Sequence, residues 1–333
     1  MASFWMDFGL FLLKSITVVV AIVAVLIAIA TVSRRDGGQQ GLTVEKINDK
    51  YRSMADTLRQ QTFSKASWKA HQKQQKREKK QAEKNVDDSA DKRIFVLQFK
   101  GDMRATAVES LRQEVSAVVS VASETDEIVV CLDNSGGAVQ DHGLGASQLK
   151  RIADRKIPLT VIVDKVAASG GYLMASVANK IVAAPFAIIG SIGVLAQLPN
   201  FNRLLEKQGI DWEQVTAGKY KRTLTMFGKN TEADREKTRQ DLEEVHQLFK
   251  AAVSEHRPDM DIEKVATGEY WYGTRALELG LVDVLGSSDD YLMQAVEDAS
   301  IYSVTFKSSE GLVQKLQAAF SSVLASISPS PLP

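Results

Sequence analysis

Hydrophobic and polar positions divide the chain into three regimes. Residues Leu10 to Val32 are apolar apart from Lys14, Ser15, Thr17 and Thr31, a run long enough to cross a hydrocarbon core of roughly 30 Å as a helix. Lys14 lies near one end, where its stem can snorkel to the headgroups. The run is too long for the h-region of a signal peptide, and Ser33, Arg34, Arg35 and Asp36 after it do not form a small-residue cleavage site. The pattern predicts an uncleaved single-pass transmembrane helix over 10–32, after a flank of residues 1–9. Arg34 and Arg35 follow the span whereas the flank carries only Asp7, so the positive-inside rule favours a cytoplasmic C-terminal body. The α-amino group and Lys14 weaken that vote.

The second regime is polar. From Leu42 to Leu58 the apolar residues Val44, Ile47, Tyr51, Met54 and Leu58 recur at helical spacing. Lys65 to Lys84 is then rich in lysine and glutamine, with Glu78 and Glu83 its only acids, and Val86 to Asp91 closes a linker over 33–91. A solvated helical or disordered spacer accounts for this composition. Attraction to anionic lipid beside the anchor is the functional alternative.

The third regime, residues 92–306, alternates short β-branched runs with helical periodicity. Ile94 to Phe99 and Glu127 to Leu132 read as strands, and Val108, Leu111, Val115, Val118 and Val119 mark a helix between them. A helix around Leu144 to Ala153, a strand over Pro158 to Val163, and short strands Ile181 to Ala184 and Phe186 to Ile189 follow. Such alternation implies right-handed βαβ crossovers and a mostly parallel sheet, an α/β fold. A long charged helix runs from about Thr231 to Glu255 with Leu242, Val245, Leu248, Phe249 and Val253 on its apolar stripe, and another helix covers Thr274 to Leu279. In the last segment, 307–333, Leu312, Leu316, Phe320, Val323 and Ile327 form one face of an amphipathic helix before a disordered Ser328 to Pro333 tail. No internal repeat of fixed period stands out.

Composition changes this picture little. Lysine plus arginine number 41 in the 333 residues and aspartate plus glutamate also 41, so bulk charge does not call for nucleic acid. Cys131 is the only cysteine, which rules out an intramolecular disulfide.

The candidate chemistry gathers where the strand over Pro158 to Val163 gives way to Val166, Ala167, Ala168, Ser169, Gly170, Gly171 and Tyr172, with a second glycine pair at Gly136 and Gly137. A serine between a strand and a helix can project its hydroxyl into a cleft, and the glycines admit close backbone approach. The bland reading is a tight connection with a capping serine. The G-x-S-x-G elbow does not fit, because Ala167 holds the first glycine position. A serine needs a base to become a nucleophile. Of His71, His142, His246 and His256, only His142 lies near a glycine loop. Lysine is the other option, because burial penalises an ammonium and can free a neutral amine. Lys219 and Lys221 stand in a suitable stretch, and spacing does not choose between them or bring either to Ser169. No metal-ligand cluster or Walker-type loop appears, so no cofactor is expected.

Five motifs occur together and in order: Ser135-Gly136-Gly137, Asp164 to Tyr172, Gly190 to Val194, Ala217 to Arg222, and Gly280 to Asp283. The set resembles the signal peptide peptidase A family, and the anchor with its basic linker is similar to the SohB-type inner-membrane members. The resemblance covers essentially the whole chain. It implies a Clp protease/crotonase-like fold and a Ser–Lys dyad that cleaves peptides, with Ser169 as nucleophile and Lys221 as general base. It further implies Gly137 and Gly170 as oxyanion-hole donors, Gly136 as the residue that lets their loop turn, and Ser191 as a partner orienting the lysine. A bacterial inner-membrane location, a homo-oligomer, and signal-peptide remnants or other membrane-associated peptides as substrates come with it. The family's usual Ser-Pro-Gly-Gly is here Asn134-Ser135-Gly136-Gly137, which removes the proline that would pre-set the loop. A crotonase-like acyl-CoA enzyme sharing the paired-glycine hole, and a non-catalytic membrane scaffold, are the rival readings.

Overall fold

The computed structural model describes residues 9–20, 41–82 and 92–307. The chain divides into two compact units, residues 1–41 with 306–333, and residues 42–305. In the first unit, helix α1 occupies residues 9–20, with Leu10, Phe11, Leu12 and Leu13 exposed. Among the described residues no helix is long and apolar enough to cross a membrane. The expected span continues into residues 21–32, which lie outside the described residues. So do the stretches 33–40 and 83–91 of the expected linker, and the expected last helix and tail from residue 308 on.

The second unit is built on a seven-stranded sheet of order β1-β10-β2-β3-β4-β6-β9 and a three-stranded sheet of order β5-β7-β8. In the large sheet β1 is Gly41–Lys46, β2 Arg93–Lys100, β3 Glu127–Asp133, β4 Leu159–Val163, β6 Lys180–Ala183, β9 Val284–Leu285 and β10 Ser300–Lys307. From β10 to β9 every pairing is parallel. Helices α4 (Val108–Val119) and α5 (Val139–Ala153) make the crossovers from β2 to β3 and from β3 to β4. The period of two then sorts the strand residues onto two cores. Leu97, Val130, Val161 and Ile181 face the helices α4, α5 and α6 (Gly170–Ser176), together with Leu111, Val115, Leu149 and Met174. Val96, Val129, Ile162 and Val182 face the other way, against Leu292 of α11 (Ser288–Ala295) and Ile47 and Tyr51 of α2 (Ile47–Thr62). Burial on both faces explains why these strands read as continuous apolar runs. Each such side chain fully withdrawn from water contributes about 1.5–3 kcal/mol.

The small sheet corrects the expectation of a single, mostly parallel sheet. Its strands are β5 Val166–Ala168, β7 Ile188–Gly190 and β8 Tyr270–Tyr272, with β5 and β7 parallel and β7 and β8 antiparallel. A bridge between Asn134 and Ala167 ties it to the end of β3. Ser169 therefore follows a strand of this second sheet, not the strand over Pro158 to Val163. The stretch Phe186 to Ile189 is a strand only from Ile188, and Phe186 stands in solvent. Strands of two or three residues, such as β8 and β9, carry too few alternations to show a period.

The long charged helix is α8, Glu232–His256, opened by a capping box in which Thr231 and Asp234 exchange hydrogen bonds. Its apolar stripe is thinner than expected: Val253 is buried, Phe249 is half-buried and Leu248 is exposed. Short helices α7 (Asn202–Lys207), α9 (Ile262–Val265) and α10 (Gly273–Glu278) complete the body.

The body also starts earlier than the polar pattern indicates. The expected helix over Leu42 to Leu58 is strand β1 followed by α2, which begins only at Ile47. The Asn48 side chain accepts the Ile301 N–H at 2.8 Å and donates to the Ala299 carbonyl at 2.9 Å, which fastens α2 to the sheet. The lysine-rich stretch is helix α3, Lys65–Ala82. Asp56 of α2 accepts from Gln75 at 2.9 Å and from Arg59 at 3.1 Å, and meets His71 at 3.2 Å. Gln75 first, then His71 and Arg59, hold its carboxyl below the usual range.

Candidate active site

The two sheets meet where β3 and β5 end, and Asn134 is the joint. Its N–H donates to the Val166 carbonyl at 2.9 Å and its carbonyl accepts the Ala168 N–H at 3.0 Å. Its side chain is fully buried, and its Oδ1 accepts the Gly136 N–H at 2.9 Å. The chain leaving β3 is thereby pressed onto the chain leaving β5.

Ser169 caps the N-terminus of α6 with φ 52° and ψ −122°, a conformation that costs an L-residue about 1–3 kcal/mol and persists only when its surroundings impose it. The Ser169 N–H donates to the Gly190 carbonyl at 2.7 Å, and its carbonyl accepts the Leu173 N–H at 3.0 Å. A Cβ on Gly136, which has φ 85°, would lie 2.8 Å from Ser169 Cβ, the Gly170 nitrogen and the Ala168 oxygen. A Cβ on Gly170 would lie 2.5 Å from Cγ of His142, and one on Gly137 2.2 Å from the Met103 carbonyl oxygen. Only glycine allows these approaches. Among the described residues, the Gly137 and Gly170 N–H groups donate to no backbone or side-chain acceptor. Unclaimed donors beside a half-buried hydroxyl can receive an anion.

Ser191 arrives through strand pairing. Ala168 is in register with Gly190, so Ser169 and Ser191 are the next residues on paired parallel strands. Ser191 also has positive φ, 52°, and donates its N–H to the Glu269 carbonyl at 2.7 Å.

The two lysines are not joined to this cluster. Both are exposed, on the irregular segment between α7 and α8. The Tyr220 hydroxyl beside Lys219 raises the pKa of that ammonium, the wrong direction for a base. The Lys221 N–H donates to the Gly218 carbonyl at 3.1 Å. Among the described residues its ammonium has no hydrogen-bond or ion-pair partner, and no hydrogen bond links it to Ser169 or Ser191.

His142 is close by but not as a base. It is fully buried, with Nδ1 2.9 Å from the Ala138 carbonyl and Nε2 3.2 Å from Asn134 Oδ1. Both ring nitrogens are occupied, which removes it as an acceptor for the Ser169 proton. Sequence reasoning missed Asn134 and the loop after β2. There the Asp102 carboxylate accepts the Thr106 N–H and hydroxyl, which lower its pKa, and Met103 accepts the Ala138 N–H at 2.9 Å. The available signal was an asparagine opening a glycine turn. Cys131 lies on β3, where burial first and Asp164 second push its thiol up to about 11; it stays protonated and inert.

A strained serine at the carboxyl ends of parallel strands, beside free N–H groups, is an arrangement suited to acyl transfer in an α/β protein, and the similarity of the chain to known peptidases agrees with it. Residues 3–149 match the model of the Peptidase family S49 N-terminal region, and residues 151–302 that of Peptidase family S49. The chain belongs to peptidase family S49, in its SohB type. "Probable protease SohB" of Haemophilus influenzae is 41% identical over 319 residues, covering 92% of this chain and 90% of that one. The protein of the same title from Buchnera aphidicola subsp. Acyrthosiphon pisum is 52% identical over 227 residues, 68% of each chain. A solved structure titled "1510-N membrane-bound stomatin-specific protease K138A mutant in complex with a substrate peptide" aligns over 70% of this chain and 99% of that chain, at 15% identity and TM-score 0.43.

Proposed function

We propose that the chain is a membrane-anchored serine endopeptidase with a Ser169–Lys221 dyad, acting on peptides held at the membrane, signal-peptide remnants among them. The observation that carries this reading is the strained backbone of Ser169 beside the unclaimed N–H groups of Gly137 and Gly170. Ser169 Oγ bonds to the scissile carbonyl carbon while its proton passes to the neutral Lys221 amine. The carbonyl becomes an oxyanion, which the Gly137 and Gly170 N–H groups stabilise by several kcal/mol. The C–N bond then breaks as Lys221 returns the proton to the leaving amine. Water, deprotonated by the same amine, releases the acyl group from Ser169. Ser191 orients the amine.

The base has to be completed from outside the single chain. Lys221 lies on a segment with exposed apolar side chains, among them Leu195 at 74% and Val215 at 96% exposure. A second copy covering this arm would bury that surface and desolvate the ammonium, which favours the neutral amine. The reading therefore includes a homo-oligomer. The span over 10–32 supplies the anchor, and Arg34 and Arg35 after it favour the body on the cytoplasmic side.

The test uses a fluorophosphonate probe and labelled casein with the full chain, Ser169→Ala and Lys221→Ala. Both variants should lose labelling and cleavage while folded by circular dichroism. A Lys221→Ala protein that cleaves at the wild-type rate would remove the dyad. Protease added to intact spheroplasts should leave the body uncut; digestion would move it to the outer face of the membrane.

A further inference from the structure

The fully buried imidazole beneath the glycine loops does more than fill space. Asn134 Oδ1 is identified as the oxygen by the Gly136 N–H that it accepts at 2.9 Å. A flipped carboxamide would turn its NH2 against that N–H. Oδ1 is therefore an acceptor for His142 Nε2, 3.2 Å away, and the Ala138 carbonyl at Nδ1 is an acceptor too, so a neutral ring donates to only one of the two. The same ring is packed on the other loop, where a Cβ on Gly170 would fall 2.5 Å from its Cγ and 2.6 Å from its Cβ. His142 Nδ1 meets the carbonyl of Ala138, the residue after Gly137, at 2.9 Å. One side chain thus touches the Gly170 loop by packing and meets an acceptor oxygen at each end of the Gly136–Gly137 loop, one of them by a hydrogen bond.

We propose that His142 is a positioning residue for acyl transfer, holding the Asn134 carboxamide and backing Gly170 so that the Gly137 and Gly170 N–H groups keep the geometry that the oxyanion needs. This rests on the reading of Ser169 as nucleophile and of those glycines as its oxyanion donors. The ring never contacts substrate. It acts through Asn134 and Gly136 on one loop and by contact on the other. Loss of the ring removes the hydrogen bond at one end of the Gly136–Gly137 loop and opens a void under Gly170, both inside a buried frame. The damage falls on a step that depends on aimed N–H groups, and substrate binding elsewhere is spared.

Fluorophosphonate inactivation of the full chain in detergent separates the two effects, because KI reports binding and kinact reports phosphonylation of the serine. His142→Ala and His142→Leu serve as two apolar comparators, so that a packing defect in one does not decide the outcome. His142→Gln returns an N–H near the Nε2 position. Both apolar variants are expected to lose at least about tenfold in kinact with KI within threefold of wild type. His142→Gln is expected to recover to within threefold of wild type, with thermal midpoints recorded for all three. Apolar variants within twofold of wild type in kinact would overturn the proposal, as would a glutamine variant no better than leucine. Ser169→Ala run alongside keeps the two readings apart. If it still cleaves casein, the nucleophile assignment has failed; if it is inactive and the His142 variants are unchanged, only the positioning role has failed.

Discussion

The frame around Ser169 and the arm that carries Lys221 are opposites. In the frame, Asn134 and His142 are fully buried, and the backbones pass so closely that glycine is required at several crossings. On the arm Val215 is almost fully exposed and Lys221 has no side-chain partner among the described residues. The contrast teaches where preorganisation comes from. A single chain suffices to strain the nucleophile and to leave two N–H groups unclaimed. Lys221, the proposed base, lies on a segment whose apolar side chains are exposed. On the proposed reading, such a half-site would stay idle until the chain assembles, which would suit a peptidase made among its own substrates.

The sharpest break of that comparison is chemical. Ser169→Ala should lower kcat/KM by on the order of 10⁵-fold, and Lys221→Ala by about 10²–10⁴-fold, the range for removing a general base. Thermal midpoints should barely move, because neither side chain holds the frame. A midpoint that drops by many degrees in Lys221→Ala would show that the arm is structural after all.

Next comes a substitution on each side. Gly136→Ala forces a Cβ to 2.8 Å from three backbone or Cβ atoms at a φ that disfavours it. Turnover should fall by about 10²-fold with a smaller loss of stability, because the displaced groups include the Gly170 nitrogen. Val215→Asp on the arm should leave the melting of the isolated body within about 0.5 kcal/mol of wild type, as for an ordinary surface position. Sedimentation should nevertheless show smaller species and less activity, because a buried interface would hold an unpaired carboxylate. An unchanged assembly in Val215→Asp would mean that the arm is covered by something other than a second copy.

Acid acts on the fold at the other end of the sheet, where β2 and β3 begin. Asp126 accepts from Arg93 Nη2 at 2.7 Å and from the Ser123 N–H at 2.7 Å. Burial works against its charge, but the Arg93 and Ser123 hydrogen bonds win and bring it to about 2. A depressed carboxylate stabilises the fold above its unfolded value, 3.8, and that contribution disappears as pH falls from there through about 2. It amounts to about 2 kcal/mol at neutral pH. Denaturant titrations of wild type and Asp126→Asn should therefore differ at pH 6 and converge near pH 2. A gap that persists undiminished at pH 2 would assign the effect to packing.

Much of the frame was legible in the sequence, because its devices are local. A strand ending in small residues, then Ser169-Gly170-Gly171, announces a serine with backbone room, and the β-branched runs of β2, β3 and β4 announce a sheet buried on both faces. What was hidden depended on distance. That Ser169 follows a strand of a second sheet is decided by pairing with β7 and by the bridge to Asn134, which no local pattern reports. His142 drew notice for its nearness to Gly136 and Gly137. Nearness does not say that both ring nitrogens face inward acceptors, and that burial turns a candidate base into a support. The arm was legible only as a choice of two lysines, because which of them reaches Ser169 depends on contacts that no local pattern reports.

The smallest expected effect is at Ser135, where the chain departs from the proline of Ser-Pro-Gly-Gly. Ser135 is exposed, and among the described residues neither its N–H nor its hydroxyl makes a hydrogen bond. Proline there removes no donor that the frame uses. It would hold φ near −65° and reduce the freedom the loop loses on folding by about 0.4–1 kcal/mol. The loop is already gripped from below through Gly136 and Asn134, so the gain goes to the part still free, the aim of the Gly137 N–H. Better aim acts on the transition state, so Ser135→Pro should raise kcat by about two- to fivefold with KM unchanged. In a His142→Ala background the grip from below is weaker and the same substitution should help more. A fall in kcat in Ser135→Pro with circular dichroism intact would mean that the loop needs a φ that proline cannot adopt, and that its serine is an adaptation of this chain.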